Sequence, residues 1–155
     1  MGDSRADMGG YWPRLPYTVL NTGWSGKTTT YTISRLDAVD KFNPDYVVIF
    51  SGINDARELT IDQFKTNLEY IVKYVSDRGA VPIIMDIQMS TTTINQSPFA
   101  LPFSDYENVI IKMTGYYDYK LPDEDFTTSD CRCHFNRQGY IDISRAIINK
   151  IGQAK

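Results

Sequence analysis

Asp45-Tyr-Val-Val-Ile-Phe50, residues 60–79, and Val81-Pro-Ile-Ile-Met-Asp-Ile87 together decide the fold. The first segment is a short β-branched apolar run, opened by Asn43-Pro44 and closed by Gly52, which is the pattern of a strand buried on both faces. Thr60 followed by Gln63 has the form of a capping box. Phe64, Leu68, Ile71, Val72 and Val75 then recur at helical spacing until Gly79 supplies a stop. The second apolar run carries Pro82 near its start, where a missing donor is tolerated. Strand, helix and strand in that order form a βαβ unit, which predicts a parallel sheet.

Working outward, residues 17–20 are expected as a short strand and residues 27–39 as a helix that buries Ile33 and Leu36. Residues 90–103 read as a Thr/Ser/Pro-rich loop, residues 105–113 as a helix and residues 116–119 as a last short strand. Residues 136–151 close the chain as a helix with Ile143, Ala146, Ile147 and Ile151 on its inward stripe. The expected class is α/β, a three-layer α/β/α sandwich with a parallel sheet, as one domain spanning residues 1–155.

Composition agrees with a globular chain: 155 residues, 42% hydrophobic and 23% charged. A formal charge of −3 argues against a nucleic-acid partner held by a bulk positive field. No apolar run is long enough to span a bilayer. No charged segment followed by an apolar stretch opens the sequence, so no secretory signal is expected within it, and the compartment stays open. Cys131 and Cys133 are too few for a disulfide scaffold, and a bridge between them would close a very small strained ring.

In open parallel sheets, ligand sites form beyond the carboxyl ends of the strands. The polar stretches in such places are 21–26, 51–55 and 88 onward, with 130–136 leading into the last helix. Four of the sequence's motifs are Gly2-Asp3-Ser4, Asn21-Thr-Gly-Trp-Ser-Gly26, Gly52-Ile-Asn-Asp55 and His134-Phe-Asn-Arg-Gln-Gly-Tyr140. In order and spacing they resemble the signature blocks of the SGNH (GDSL) hydrolase family, over residues 2–140. The resemblance implies a flavodoxin-like fold, Ser4 as nucleophile, His134 as general base, and an oxyanion hole made by Ser4, Gly26 and Asn54. Chemistry independently asks for these types. A serine hydroxyl needs an adjacent base, and His134 is the one histidine in the chain.

Two departures from the family pattern stand out. The family's last block places an aspartate three residues before the histidine, where this chain has Cys131; Asp130 lies one residue further upstream. Either Asp130 orients the imidazole through a bulged loop, or Ser4 and His134 act as a dyad with a backbone carbonyl holding the ring. Asp123, Glu124 and Asp125 read as a solvated loop. The family also runs an apolar strand directly into Gly-Asp-Ser, whereas here only Met1 precedes Gly2. The expectation is therefore either a fragment that has lost its first strand or a sheet that closes differently, and without that strand Ser4 would lack a rigid mount.

Asp55 reads as structural, organising the Asn54 loop, and Arg5 and Arg57 as solvated arginines. Asp130-Cys-Arg-Cys-His134 does not have the C-x₂₋₄-C spacing of zinc sites, so no metal is expected, and a serine mechanism implies no cofactor. The expected activity is a serine esterase cleaving small acyl esters, acetyl first. Carbohydrate is the favoured alcohol, because Tyr116, Tyr117 and Tyr119 cluster among 11 tyrosines. The alternatives are a catalytically silent glycan- or protein-binding module, and a lysophospholipase or thioesterase. The oligomeric state stays open.

Overall fold

The computed structural model describes residues 1–8, 15–85, 87, 121–127 and 133–153. Its first helix, α1 (Ser4–Asp7), is followed by α2 (Thr29–Ser34) and α3 (Asp37–Phe42). Strand β1 (Tyr46–Ile49), the short α4 (Asp55–Glu58), the long α5 (Ile61–Ser76) and strand β2 (Val81–Ile84) come next. A 3₁₀ turn (Asp123–Asp125) and helix α6 (Arg137–Gln153) complete the described elements.

β1 and β2 pair in parallel, Tyr46 opposite Val81 and Ile49 opposite Ile84, as the βαβ reading requires. Helix α5 starts at the expected cap: Gln63 N–H donates to Thr60 Oγ1 at 3.2 Å, and Thr60 N–H donates to Gln63 Oε1 at 2.9 Å. The pleat sends alternate side chains to opposite faces. Val47, Ile49 and Ile84 pack with Leu36 and Val39 and with Phe64, Leu68, Ile71 and Val75 of α5. Phe50, Ile83 and Met85 pack on the other face with Ala6 and with Tyr140, Ile143, Ile147 and Ile151 of α6. Helices cover both faces of the sheet, which makes the three-layer sandwich.

Residues 1–3, a short stub, pair alongside β1 ahead of Ser4. The Met1 backbone nitrogen donates to Val48 O at 2.9 Å, Phe50 N–H to Met1 O at 3.0 Å, and Asp3 N–H to Phe50 O at 2.8 Å. Residues 1–3 thus run parallel to β1, with Gly2 bridged to Phe50. The approach is so close that a Cβ on Gly2, at φ 139°, would lie 1.9 Å from Phe50 O. Ser4 therefore has a rigid mount, contrary to expectation.

Two further expectations are corrected. Residues 17–20 form no strand, and Val19 and Leu20 are 60% and 51% exposed. Just beyond this segment, Trp24 N–H donates to Gly2 O at 2.9 Å. Residues 27–39 form α2 and α3 rather than one helix. Leu36 N–H reaches Ile33 O at 3.2 Å in the tight turn between them. The threonines that open this stretch have low helix propensity, and Thr29 and Thr32 spend their hydroxyls on Asp55 and Ser51. Segments 90–103, 105–113 and 116–119 lie outside the described residues. Among the described residues, no helix is long and apolar enough to cross a membrane.

Leu68 is fully buried between α5 and the sheet. Leu68→Ala is expected to lower unfolding free energy by about 2–5 kcal/mol, whereas Glu69→Ala on the exposed face should change it by less than about 0.5 kcal/mol. Urea denaturation followed by circular dichroism measures both.

Candidate active site

Ser4 opens α1 at the end of the stub. Its neighbour Asp3 caps the helix, accepting Arg5 N–H at 2.9 Å. The same carboxylate receives the Arg5 side chain, Nε to Oδ1 at 3.0 Å and Nη2 to Oδ2 at 2.7 Å, with both side chains fully buried. Arg5 was expected in solvent; it lies inside because the capping geometry turns the fork of its guanidinium onto Asp3. Its guanidinium carbon stands 5.2 Å from the centre of the Phe50 ring. Breaking such a pair from one side typically costs about 3–5 kcal/mol, because the other charge is left buried.

The imidazole arrives from the opposite end of the chain. Phe135 bridges antiparallel to Phe126, and Thr127 N–H donates to His134 O at 2.8 Å. Asn136 ties the turn further: its N–H donates to Asp125 O at 2.8 Å, and its Oδ1 accepts Gly139 N–H at 2.9 Å, in the first turn of α6. Gly139 packs against the 3₁₀ turn so closely that a Cβ would lie 2.6 Å from Asp125 O. The outcome is Ser4 Oγ at 2.9 Å from His134 Nε2. Cys133 is disulfide-bonded, a state set aside as strained from the sequence, and its Sγ lies 3.9 Å from His134 Nδ1. A proton on Nδ1 leaves the Nε2 lone pair facing the Ser4 hydroxyl.

Burial pushes the His134 pKa below its ordinary 6.5; the Arg5 cation acts in the same direction and Asp3 opposes it. Asp130 and Cys131 lie outside the described residues. Asp125 is not solvated as expected but 3% exposed, and one of its carboxyl oxygens has no hydrogen-bond partner. Burial, reinforced by the neighbouring Asp142, pushes its pKa up to about 6.

The loop holding Gly26 is anchored on α1. Asn21 Nδ2 donates to Ala6 O at 2.5 Å, while Ser25 N–H and Oγ both donate to Asp7 Oδ2, at 2.9 and 2.7 Å. Gly23 touches Ala6 where a Cβ would clash, and Gly26 takes φ 76°. Asn54 sits at the start of α4 and donates from Nδ2 to Lys27 O at 3.0 Å, which fixes the plane of its amide just after Gly26. Asp55, buried, accepts from Thr29 N–H at 3.0 Å and from the Thr29 hydroxyl, and so locks the Asn54 turn to the start of α2. Burial raises its pKa, and the Thr29 bonds oppose the rise. Arg57 is exposed.

The structure thus brings Ser4 against His134, ties the Gly26 loop to the helix that begins with Ser4, and joins Asn54 to that loop's end. The anchors Asp7 and Arg5 were missed from sequence. The i, i+2 carboxylate and guanidinium at Asp3 and Arg5 were the available signal, readable once Asp3 is taken as a cap. Among the described residues no group of three His, Cys, Asp or Glu side chains could hold a metal ion, and a disulfide cysteine offers no thiolate.

The profile of the family described as "GDSL-like Lipase/Acylhydrolase family" matches residues 2–140. A GDSL-like lipase of Bacteroides thetaiotaomicron has a similar structure, with TM-score 0.75 and 14% identity, covering 99% of this chain and 86% of that one. An acetyl xylan esterase of Geobacillus stearothermophilus is similar at TM-score 0.68 and 22% identity, covering 94% and 77%. The psychrotrophic esterase EstA of Pseudoalteromonas sp., solved as inhibited by monoethylphosphonate, gives TM-score 0.61 and 23% identity, covering 86% and 76%. No curated protein matches the sequence at a significant level.

Because the chain has one histidine, its ring resonances need no assignment by mutation. Titration by NMR is expected to give a midpoint below 6.5, the direction set by burial and by Arg5. A midpoint above 6.5 would contradict the electrostatics described here.

Proposed function

The chain belongs to the GDSL-like lipase/acylhydrolase family and is a carboxylic ester hydrolase; from that premise we propose that it is a serine esterase that removes small acyl groups, acetyl above all, from carbohydrate. The observation that carries the mechanism is the 2.9 Å contact between Ser4 Oγ and His134 Nε2. As Ser4 Oγ bonds to the ester carbonyl carbon, its proton passes to His134 Nε2. Negative charge collects on the former carbonyl oxygen, where the N–H groups of Ser4 and Gly26 and the Asn54 amide receive it. The intermediate collapses to an acyl-serine, and the alcohol leaves with the proton from His134. Water, activated by the same imidazole, then releases the acid and restores Ser4.

Trp24 supports the carbohydrate half of the reading. It lies in the loop that ends at Gly26, is 60% exposed, and meets Tyr31 edge to face at 6.5 Å between ring centres. An exposed indole beside a polar reaction centre suits stacking on a sugar ring better than gripping a long acyl chain. Lys27, Asn54, Thr30 and Asp7 keep the surroundings of this loop polar. The tyrosines that first suggested carbohydrate lie outside the described residues. The acetyl xylan esterase among the structural neighbours makes acetylated xylo-oligosaccharide a sensible first substrate.

Initial rates on p-nitrophenyl acetate, butyrate and octanoate, and acetate release from acetylated xylo-oligosaccharide, test the proposal. Acetate should be cleaved fastest, and Ser4→Ala should lower kcat at least about 1,000-fold. An octanoate preference would move the substrate to lipid. Wild-type rates in Ser4→Ala would remove the serine mechanism. Asn54→Ala should lower kcat by about 100- to 1,000-fold with little change in KM, since its bond strengthens in the transition state. An unchanged kcat would take Asn54 out of the oxyanion hole.

A further inference from the structure

We propose that Arg5 is a positioning residue for the ester-cleaving site, holding the main chain at Ser4 and the spacing between Ser4 and His134 from inside the protein. The inference rests on the reading of Ser4 as nucleophile and His134 as base, and goes beyond it to a residue that touches no substrate.

The geometry has three parts. First, Arg5 and Asp3 flank Ser4 in the chain and close on one another through Nε and Nη2, at 3.0 and 2.7 Å. Ser4 is therefore the middle residue of a closed ring of covalent and hydrogen bonds, and its backbone dihedrals are held from both sides. Second, the Arg5 carbonyl accepts the Tyr140 hydroxyl at 3.1 Å, which links the nucleophile's helix to α6. Third, the guanidinium lies over Phe50, whose ring packs on Phe135 at 5.8 Å between centres, and Phe135 packs on Tyr140 at 5.3 Å. Phe135 follows His134 directly in the chain. Arg5 thus touches the support of the nucleophile and, through one aromatic layer, the support of the base.

A fully buried ion pair costs desolvation that a well-packed apolar pair would not, so it is a poor device for stability alone. Its fork geometry is well suited to fixing orientation, because a guanidinium meets a carboxylate in one plane through two bonds. Charge adds a second effect. Among the described residues, the charged groups acting on His134 are Arg5, which disfavours the imidazolium, and Asp3, which favours it.

The test compares kcat, KM and their pH dependence on p-nitrophenyl acetate for wild type, Arg5→Lys, Arg5→Met and the double variant Asp3→Asn/Arg5→Met, with Ser4→Ala as the baseline and near-ultraviolet circular dichroism to count folded molecules. The double variant removes both members of the Asp3–Arg5 pair together, so neither is left facing the other's absence. Positioning predicts a fall in kcat of about 100-fold per folded molecule in the double variant, with KM little changed. Arg5→Lys keeps the charge but loses the fork, so its acid limb should stay in place while kcat falls. Arg5→Met leaves Asp3 unopposed, so its acid limb should move to higher pH. Values of kcat within about twofold of wild type, per folded molecule, in both Arg5→Lys and the double variant would overturn the proposal. Wild type no faster than Ser4→Ala would instead overturn the esterase mechanism beneath it, a result distinct from any ranking of the Arg5 variants.

Discussion

Backbone hydrogen bonds between residues 1–3 and β1 hold the rest of the site in place. They set the direction of the stub parallel to Tyr46–Ile49, so that the chain leaves the sheet at the carboxyl end of β1 and turns at once into α1. Ser4 is the first residue past that edge. Because Gly2 has no Cβ, the stub lies against Phe50 at a distance no other residue could accept. The Gly26 loop then takes its reference from the same short segment, through Trp24 on Gly2 and Ser25 on Asp7. A displacement of the stub would carry the Ser4 hydroxyl and the Gly26 loop together.

The second constraint comes from the far end of the sequence. The residues around His134 are stitched to 121–127 by backbone bonds on both sides of Phe135, and Phe135 sinks into the layer under α6. The imidazole is thereby half-buried beside a fixed cation, a setting that keeps it neutral and able to accept a proton near physiological pH. Orientation and protonation state are both properties of the buried layer rather than of the surface where substrate would sit.

The β1–α5–β2 unit could be read from sequence because local and tertiary demands agree there. Cap, helical stripe, stop and β-branched runs all point the same way, and burial of Phe64, Leu68, Ile71 and Val75 follows the stripe. Ser4, Gly26, Asn54 and His134 stood out because their motifs occur in a recognisable order, and the fold brings them to one edge. Other features depended on tertiary context. Residues 17–20 have strand-like composition, but a strand needs a neighbour's ladder, and composition does not say where one lies. The break at Leu36, with Leu36 N–H on Ile33 O, is one that no local pattern announces. Arg5 and Asp125 were assigned to solvent by residue type, and only the capping of α1 and the docking of the His134 turn on the 3₁₀ turn put them inside.

We propose that Ser4 is a nucleophile activated by His134. The most direct test is reaction with a serine-directed phosphonate, followed by peptide mapping in a mass spectrometer across a pH series. One adduct per chain is expected, located on Ser4, formed at a rate that tracks the neutral fraction of His134 and largely abolished in His134→Ala. Labelling elsewhere, or labelling of Ser4 at a rate indifferent to pH and to His134, would contradict it.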